Sequence, residues 1–221
     1  MKNILLIFLF ISLALTSCKK RDTISSVGKI ASYSTTTQYK TSDGFIQFGH
    51  TAGAKINKVT INSSLATAGE TTTFNILYND DNTIKELNAG DSEKILPVYK
   101  NGQIAKAYIV QQGKNVAFTN YTYSSDNLKS LTIFYLEEEG DVPVFKLDFD
   151  YNVKGNVIRT TTYIAQGNEG NLSYACSATM QYSTHKNPLY NQKDLLALFW
   201  QAVSKNNAAK EERLNTDSKQ L

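Results

Sequence analysis

The feature that most constrains the fold is a motif that recurs through the middle of the 221-residue chain: a tyrosine, a polar turn and an aliphatic residue. The spacing between successive tyrosines drifts from 21 to 24, 28 and 31 residues, but the turn is kept. Asn, Asp and Gly recur in these turns and tolerate positive φ, as hairpin turns require. Self-similarity at this period predicts stacked hairpins. The copies lie at residues 78–85, 99–104, 123–129, 151–159 and 182–189.

The segments between these turns have the pattern of β-strands. Apolar and charged residues alternate in residues 144–151, which is typical of an antiparallel strand with one face in water. Residues 131–136 are apolar on both faces, which predicts a strand covered on both sides. The 13 tyrosines and 10 phenylalanines also favour strands. We therefore predict an all-β fold, a twisted antiparallel sheet of hairpin repeats.

One C-terminal helix is predicted after the last repeat, over residues 191–206. Its apolar residues recur at helical spacing and form a stripe that must be buried, so we expect the helix to pack on one face of the sheet. The sheet domain is expected to span residues 39–206, and residues 207–221 to form a polar tail. The core is expected to include Phe145, Phe149, Leu195 and Phe199.

The N-terminal segment has the pattern of a bacterial lipoprotein signal. A charge at Lys2 and an apolar run over residues 4–15 precede Ser17 and Cys18. The run is too short to span a bilayer, which needs about 20 residues. We therefore predict a signal peptide at residues 1–17, a lipid on Cys18, and a flexible tether over residues 18–38. The implied location is the outer membrane, on its periplasmic side rather than the cell surface.

Charge and motif content exclude several classes of function. The 23 Lys and Arg residues nearly balance the 20 Asp and Glu residues, whereas nucleic-acid binding needs a clustered basic surface. Only two histidines are present, which removes most acid–base and zinc schemes. The sequence has no nucleophile elbow and no phosphate-binding loop. We expect no enzyme and no metal site.

The aromatic faces of the sheet are the remaining candidate for a working surface. Tyrosine offers flat, amphipathic area at low entropic cost, which suits flat ligands and protein partners. One helix cannot cover both sides of a long sheet, so part of this surface should stay open. His50 and His185 could ligate a haem iron, although a solvent-facing histidine is the commoner case. The tyrosines expected on the open surface are Tyr99, Tyr108, Tyr121, Tyr123 and Tyr163.

The repeats resemble those of YD-repeat (RHS-like) proteins, whose hairpins build extended antiparallel sheets. The resemblance covers roughly residues 71–189. Together with the lipoprotein signal and residues 185–189 before the helix, it is similar to a family of Bacteroidetes lipoproteins of unknown function. That resemblance implies a possible porphyrin ligand, and further strands after the helix.

These observations favour a lipid-anchored binding protein of the cell envelope without catalysis. The expected ligand is a small, flat, hydrophobic molecule such as a porphyrin or haem, or else a protein partner. The alternative is a periplasmic lipid or lipoprotein carrier, with a half-barrel sheet and the helix as its lid. A carrier requires a deep apolar cavity, whereas hairpin repeats predict a shallow open face.

Overall fold

The fold is a single antiparallel sheet around one short helix. The computed structural model describes residues 32–36, 43–50, 55–62, 71–90, 93–166, 170–187, 189–200 and 202–215. In these ranges thirteen strands form one sheet, and each strand pairs with the next one along the chain. The predicted all-β antiparallel fold is confirmed. The strands are β1 (Ser32–Thr36), β2 (Asp43–His50), β3 (Ile56–Asn62), β4 (Thr71–Tyr78), β5 (Ile84–Asn88), β6 (Glu93–Lys100), β7 (Gln103–Gln111), β8 (Lys114–Ser124), β9 (Asn127–Glu137), β10 (Gly140–Tyr151), β11 (Val157–Gln166), β12 (Asn171–Lys186) and β13 (Asn206–Asn215).

Four copies of the recurring motif form hairpin turns at one end of the sheet, whereas the copy that begins at Tyr182 continues as strand β12 to Lys186. The polar residues of the motif adopt positive φ where the turns need it, as at Asn101 and Gly102, whose φ angles are 54° and 76°. A bulge directly precedes each repeat tyrosine. We call this end of the sheet the tyrosine end. It holds Tyr78, Tyr99, Tyr123, Tyr151 and Tyr182.

The helix α1 (Lys193–Leu198) follows a 3₁₀ turn (Tyr190–Gln192), and both belong to a central segment of residues 189–200 and 202–205. Residues 195–200 are all buried, with exposed fractions of 5% or less. A segment in which every residue is apolar, as in residues 195–200, must be enclosed on all sides. Phe145 and Phe149 join Leu195 and Phe199 in one hydrophobic cluster, so the predicted core is confirmed.

The sheet curls around this central segment. Phe199 contacts Phe74 of β4 with the two ring centroids 5.5 Å apart, and the Ser204 hydroxyl accepts a hydrogen bond from the Val157 amide of β11. In a flat sheet β4 and β11 would lie about 34 Å apart. Residues 199–204 span at most about 18 Å even when fully extended. The sheet must therefore bend, with its inner face on the central segment and its outer face turned away.

The helix is shorter than the predicted range of residues 191–206. It ends because Trp200 adopts a positive φ of 57°, and the amides of Phe199 and Trp200 turn back to the carbonyls of Leu196 and Ala197. Ala202 and Val203, which suggested that the helix continues, are buried but not helical. Apolar spacing alone does not distinguish a helix from a buried extended segment.

Two segments predicted to lie outside the sheet form its outermost described strands. Residues 206–215 pair with β12 as β13, which corrects the prediction of a polar tail from residue 207. Residues 32–36 pair with β2 as β1, which corrects the prediction of a flexible tether for that part of residues 18–38. A polar sequence is compatible with a strand at a sheet edge, where one side faces water.

The predicted lipoprotein signal lies outside the described residues. Residues 1–17 and Cys18 are therefore not part of the structural description, and neither is the rest of the tether up to residue 31. In the part of the chain that is described, α1 is far too short to cross a membrane, and no other helix is long and apolar enough to do so.

Candidate functional site

A row of tyrosine hydroxyls joins successive hairpins at the tyrosine end. Four of the five rings reach the backbone of the adjacent strand, which belongs to the preceding hairpin. Tyr78 donates to the Ile56 carbonyl at 2.6 Å, and Tyr151 donates to the Leu128 carbonyl at 2.9 Å. Tyr182 likewise donates to the Val157 carbonyl, whereas the Tyr99 oxygen accepts from the Ile84 amide at 3.1 Å.

These side chains replace missing backbone hydrogen bonds. Between β9 and β10 the backbone pairing stops at Ser130 and Asp148, so that Leu128 has no cross-strand partner on that side. The side chain of Leu128 is buried, with 6% of its surface exposed. A buried carbonyl without a partner is costly, and the Tyr151 hydroxyl supplies one. The recurring tyrosine is therefore explained by structure rather than by ligand binding.

Tyr123 is the exception in this row. Its hydroxyl is buried and has no hydrogen-bond partner among the residues that the structure describes. Tyr121 lies on the same face of β8, and its hydroxyl is also buried. Burial raises the pKa of Tyr121, with the nearby Thr119 hydroxyl opposing the shift. The Thr119 oxygen itself accepts a hydrogen bond of 3.1 Å from the Trp200 indole. Strand β8 thus carries a polar track under the central segment.

Asp194, in the first turn of α1, faces this track. Burial raises its pKa, while a hydrogen bond from the Tyr99 hydroxyl and the charge of Lys193 oppose that shift. Burial is also the main cause of the raised pKa of Tyr123, and the Asp194 charge adds to it. This inner face is therefore a packed, partly polar core covered by the central segment.

The outer face carries a second aromatic feature, which we call the aromatic row. Phe118 and Phe134 stack with their centroids 4.9 Å apart and their planes 12° apart, and Tyr108 lies 6.1 Å from Phe118 on its other side. Phe118 is only 3% exposed, although it lies outside the cluster around the helix. Five residues pair across strands β6 to β10 to form the row: Leu96, Tyr108, Phe118, Phe134 and Pro143.

Lys106 and Lys146 lie beside this row on the outer face and differ in their partners. The ammonium of Lys106 lies 3.9 Å from the ring centroid of Phe118, which is the geometry of a cation–π contact. The ammonium of Lys146 forms an ion pair with Asp148 at 3.0 Å. Among the residues that the structure describes, Lys106 has no such carboxylate partner.

The five tyrosines predicted on an open surface divide between the two faces. Tyr108 and Tyr163 lie on the outer face, where Lys146 approaches the Tyr163 ring at 5.1 Å. Tyr99, Tyr121 and Tyr123 lie on the inner face, and Tyr121 is only 7% exposed. The prediction of an open surface is wrong for Tyr121, which is buried, whereas Tyr99 and Tyr123 are half-buried on the face that the sheet curls around the central segment.

The two histidines lie at the tyrosine end, away from the aromatic row. In the β2–β3 hairpin His50 takes the place of the repeat tyrosine, because a bulge precedes it and it pairs with Ile56. The side chain of His50 lies outside the described part of the structure.

His185 is exposed near the end of β12. Ser173 of β12 pairs with Ile164, which pairs with Phe145 of β10 near the row. From Ser173 to His185 is 12 residues, or about 40 Å of strand. The structure does not bring His185 together with Tyr108.

Sequence reasoning missed Lys106, Phe118 and Phe134 as candidate site residues. One signal was present, because residues 131–136 are apolar on both faces. That pattern predicted a strand covered on both sides. In the structure only the inner side is covered by the central segment, and Leu136 on the outer side is 36% exposed. The apolar residues on the outer side of this strand were therefore the sequence signal for the aromatic row.

Comparison with known proteins gives little further information. No family model matches the chain, and no curated protein matches it. Among solved structures, a DUF3836 family protein from Parabacteroides distasonis is similar to part of this chain, with 12% sequence identity and a TM-score of 0.28. The matched region covers 45% of this chain and 89% of that protein. A likeness at this level supports no argument on fold or function.

Proposed function

We propose that this protein is a lipid-anchored, non-catalytic binding protein of the cell envelope, and that the aromatic row on the outer face is its binding surface. The observation that supports this most is the position of the row. Tyr108 and Phe134 are partly exposed and pack against the buried Phe118, on the side of the sheet that the central segment leaves uncovered. Contiguous apolar surface of this kind marks interaction sites.

The geometry of the row favours a flat ligand. Tyr108 and Phe134 are partly exposed on either side of the buried Phe118. A flat aromatic molecule lying over the row would contact these two rings, and offset or edge-to-face contacts between aromatic rings are favourable. A porphyrin has this shape, and it is the ligand that the sequence resemblance implies. Contact with these rings is then the main interaction, because His185 lies too far along β12 to ligate the iron.

The test is a titration of haem, and of metal-free protoporphyrin, into the complete chain with Cys18→Ala, which cannot carry lipid. Binding is expected to shift the Soret band, and Phe134→Ala and Tyr108→Ala are expected to weaken it. Val153→Ala, an exposed apolar residue in the β10–β11 turn, serves as the matched control. His185→Ala and His50→Ala should leave the affinity unchanged. No shift at about 50 μM, or about −6 kcal/mol, would remove the porphyrin as a ligand.

The alternative function, a lipid or lipoprotein carrier, is supported by the curled shape of the sheet. The interior that a carrier would use is filled by the protein's own side chains, since Leu195, Leu198 and Phe199 are each 2% exposed or less. A carrier would therefore have to expel the central segment. Co-purification of lipid with the chain, together with increased proteolysis of residues 189–205, would favour the carrier over the outer-face function.

A further inference from the structure

Lys106 brings a positive charge into the aromatic row of the outer face. The Lys106 ammonium lies 3.9 Å from the Phe118 centroid and 5.4 Å from the Tyr108 centroid. Its cross-strand neighbours, Val98 and Asn120, are uncharged. Its position is thus set by aromatic rings and not by a carboxylate.

Lys146 provides an internal comparison on the same face. It also contacts an aromatic ring, that of Tyr163, but Asp148 two residues along the same strand neutralises its charge. The corresponding position two residues after Lys106 is Tyr108, which cannot do so. Of these two lysines, Lys106 alone therefore offers a net positive charge to a ligand on the row.

We propose that the aromatic row selects flat apolar molecules that carry an anionic group directly on the flat body, and that Lys106 recognises this group. The inference rests on the proposed function, because it names the ligand class of the same surface. The ammonium lies among the rings rather than beyond the end of the row. A matching anion must therefore be attached at the edge of the flat body, as in an aromatic carboxylate, and not at the end of a long chain.

The experiment compares two probes with one aromatic body, 1-pyrenecarboxylate and 1-pyrenemethanol. Binding to the complete Cys18→Ala chain is followed by pyrene fluorescence. The carboxylate is expected to bind about two- to fivefold more tightly, which is the range of a surface ion pair. This preference should shrink as ionic strength rises. Lys106→Gln should abolish it, Lys106→Arg should keep it, and Lys146→Gln should leave it unchanged.

The outcomes separate the two proposals. If both pyrenes bind equally well to the protein with Lys106 intact, selection of anions is overturned and the flat-ligand surface remains. If the preference survives Lys106→Gln in a variant that unfolds at the same urea concentration as Lys146→Gln, recognition by Lys106 is overturned. If neither pyrene binds and haem does not bind either, the outer-face function itself fails.

Discussion

The hydroxyl of Tyr151 donates a hydrogen bond of 2.9 Å to the carbonyl oxygen of Leu128, at the point where the backbone pairing between β9 and β10 has already stopped. The same relationship joins the hydroxyl of Tyr78 on β4 to the carbonyl oxygen of Ile56 on β3. Repeat tyrosines therefore connect one hairpin to the next by side-chain hydrogen bonds. Tyr123 occupies the equivalent position, but its hydroxyl has no partner within the described part of the chain.

The first prediction follows from this difference. Tyr151→Phe should lower the free energy of unfolding by about 1–2 kcal/mol, because the buried Leu128 carbonyl loses its donor. Tyr123→Phe should be nearly neutral or slightly stabilising, because it removes a buried hydroxyl that has no partner. Urea denaturation of the two variants measures the difference. Equal losses in both would show that the Tyr123 hydroxyl is in fact hydrogen-bonded.

The second prediction concerns the enclosed helix. Phe199→Ala in the central segment and Phe149→Ala in β10 should each cost about 3–5 kcal/mol, since both side chains are almost fully buried in one cluster. Val153→Ala, in an exposed turn, should change stability by less than about 0.5 kcal/mol. A midpoint in urea unchanged by Phe199→Ala would contradict the enclosure of the helix.

The third prediction concerns pH. The pKa of Asp194 is raised by burial above its ordinary value of 3.8, so that the folded protein binds a proton there more tightly than the unfolded chain does. The charged form thus destabilises the fold, an effect absent below pH 3.8 and fully present above the raised pKa. Relative to Asp194→Asn, the protein should lose stability as pH rises through that window.

Asp81 provides the control of opposite sign. Hydrogen bonds from Thr83 hold the pKa of Asp81 below its usual range, so its charged form favours the folded state. Relative to Asp81→Asn, the protein should lose stability as pH falls from 3.8 through the lowered pKa. Urea midpoints measured across this range for both pairs give the two signs. The same sign in both would refute the assignment for one of the carboxylates.

The fourth prediction concerns the proposed anchor. Cys18→Ala should prevent the attachment of lipid, and the variant should be released from membranes or remain an unprocessed precursor. Incorporation of labelled fatty acid into the two forms checks this directly. Equal labelling of both would remove Cys18 as the lipid site. Protease treatment of intact cells then distinguishes the periplasmic side, which we expect, from the cell surface.

The hairpins are the part of this fold that sequence alone could predict. Turns rich in Asn, Asp and Gly and strands of period two are properties of neighbouring residues, so residues 78–85 or 99–104 carry their own structure. The presence of a helix near residue 195 could be predicted in the same way. The length of the helix could not, because the helix ends where Trp200 adopts a positive φ and its indole donates a hydrogen bond to Thr119 on the distant strand β8.

The sequence by itself determined that this chain is a series of antiparallel hairpins with tyrosines at one end. Only the tertiary structure decided that Tyr99, Tyr121 and Tyr123 face the core while Tyr108 joins Phe118 and Phe134 outside. The physical reason is that alternation places a side chain on one of two faces without saying which face the sheet will enclose. That choice depends on where the central segment packs, and so on contacts between residues far apart in the chain.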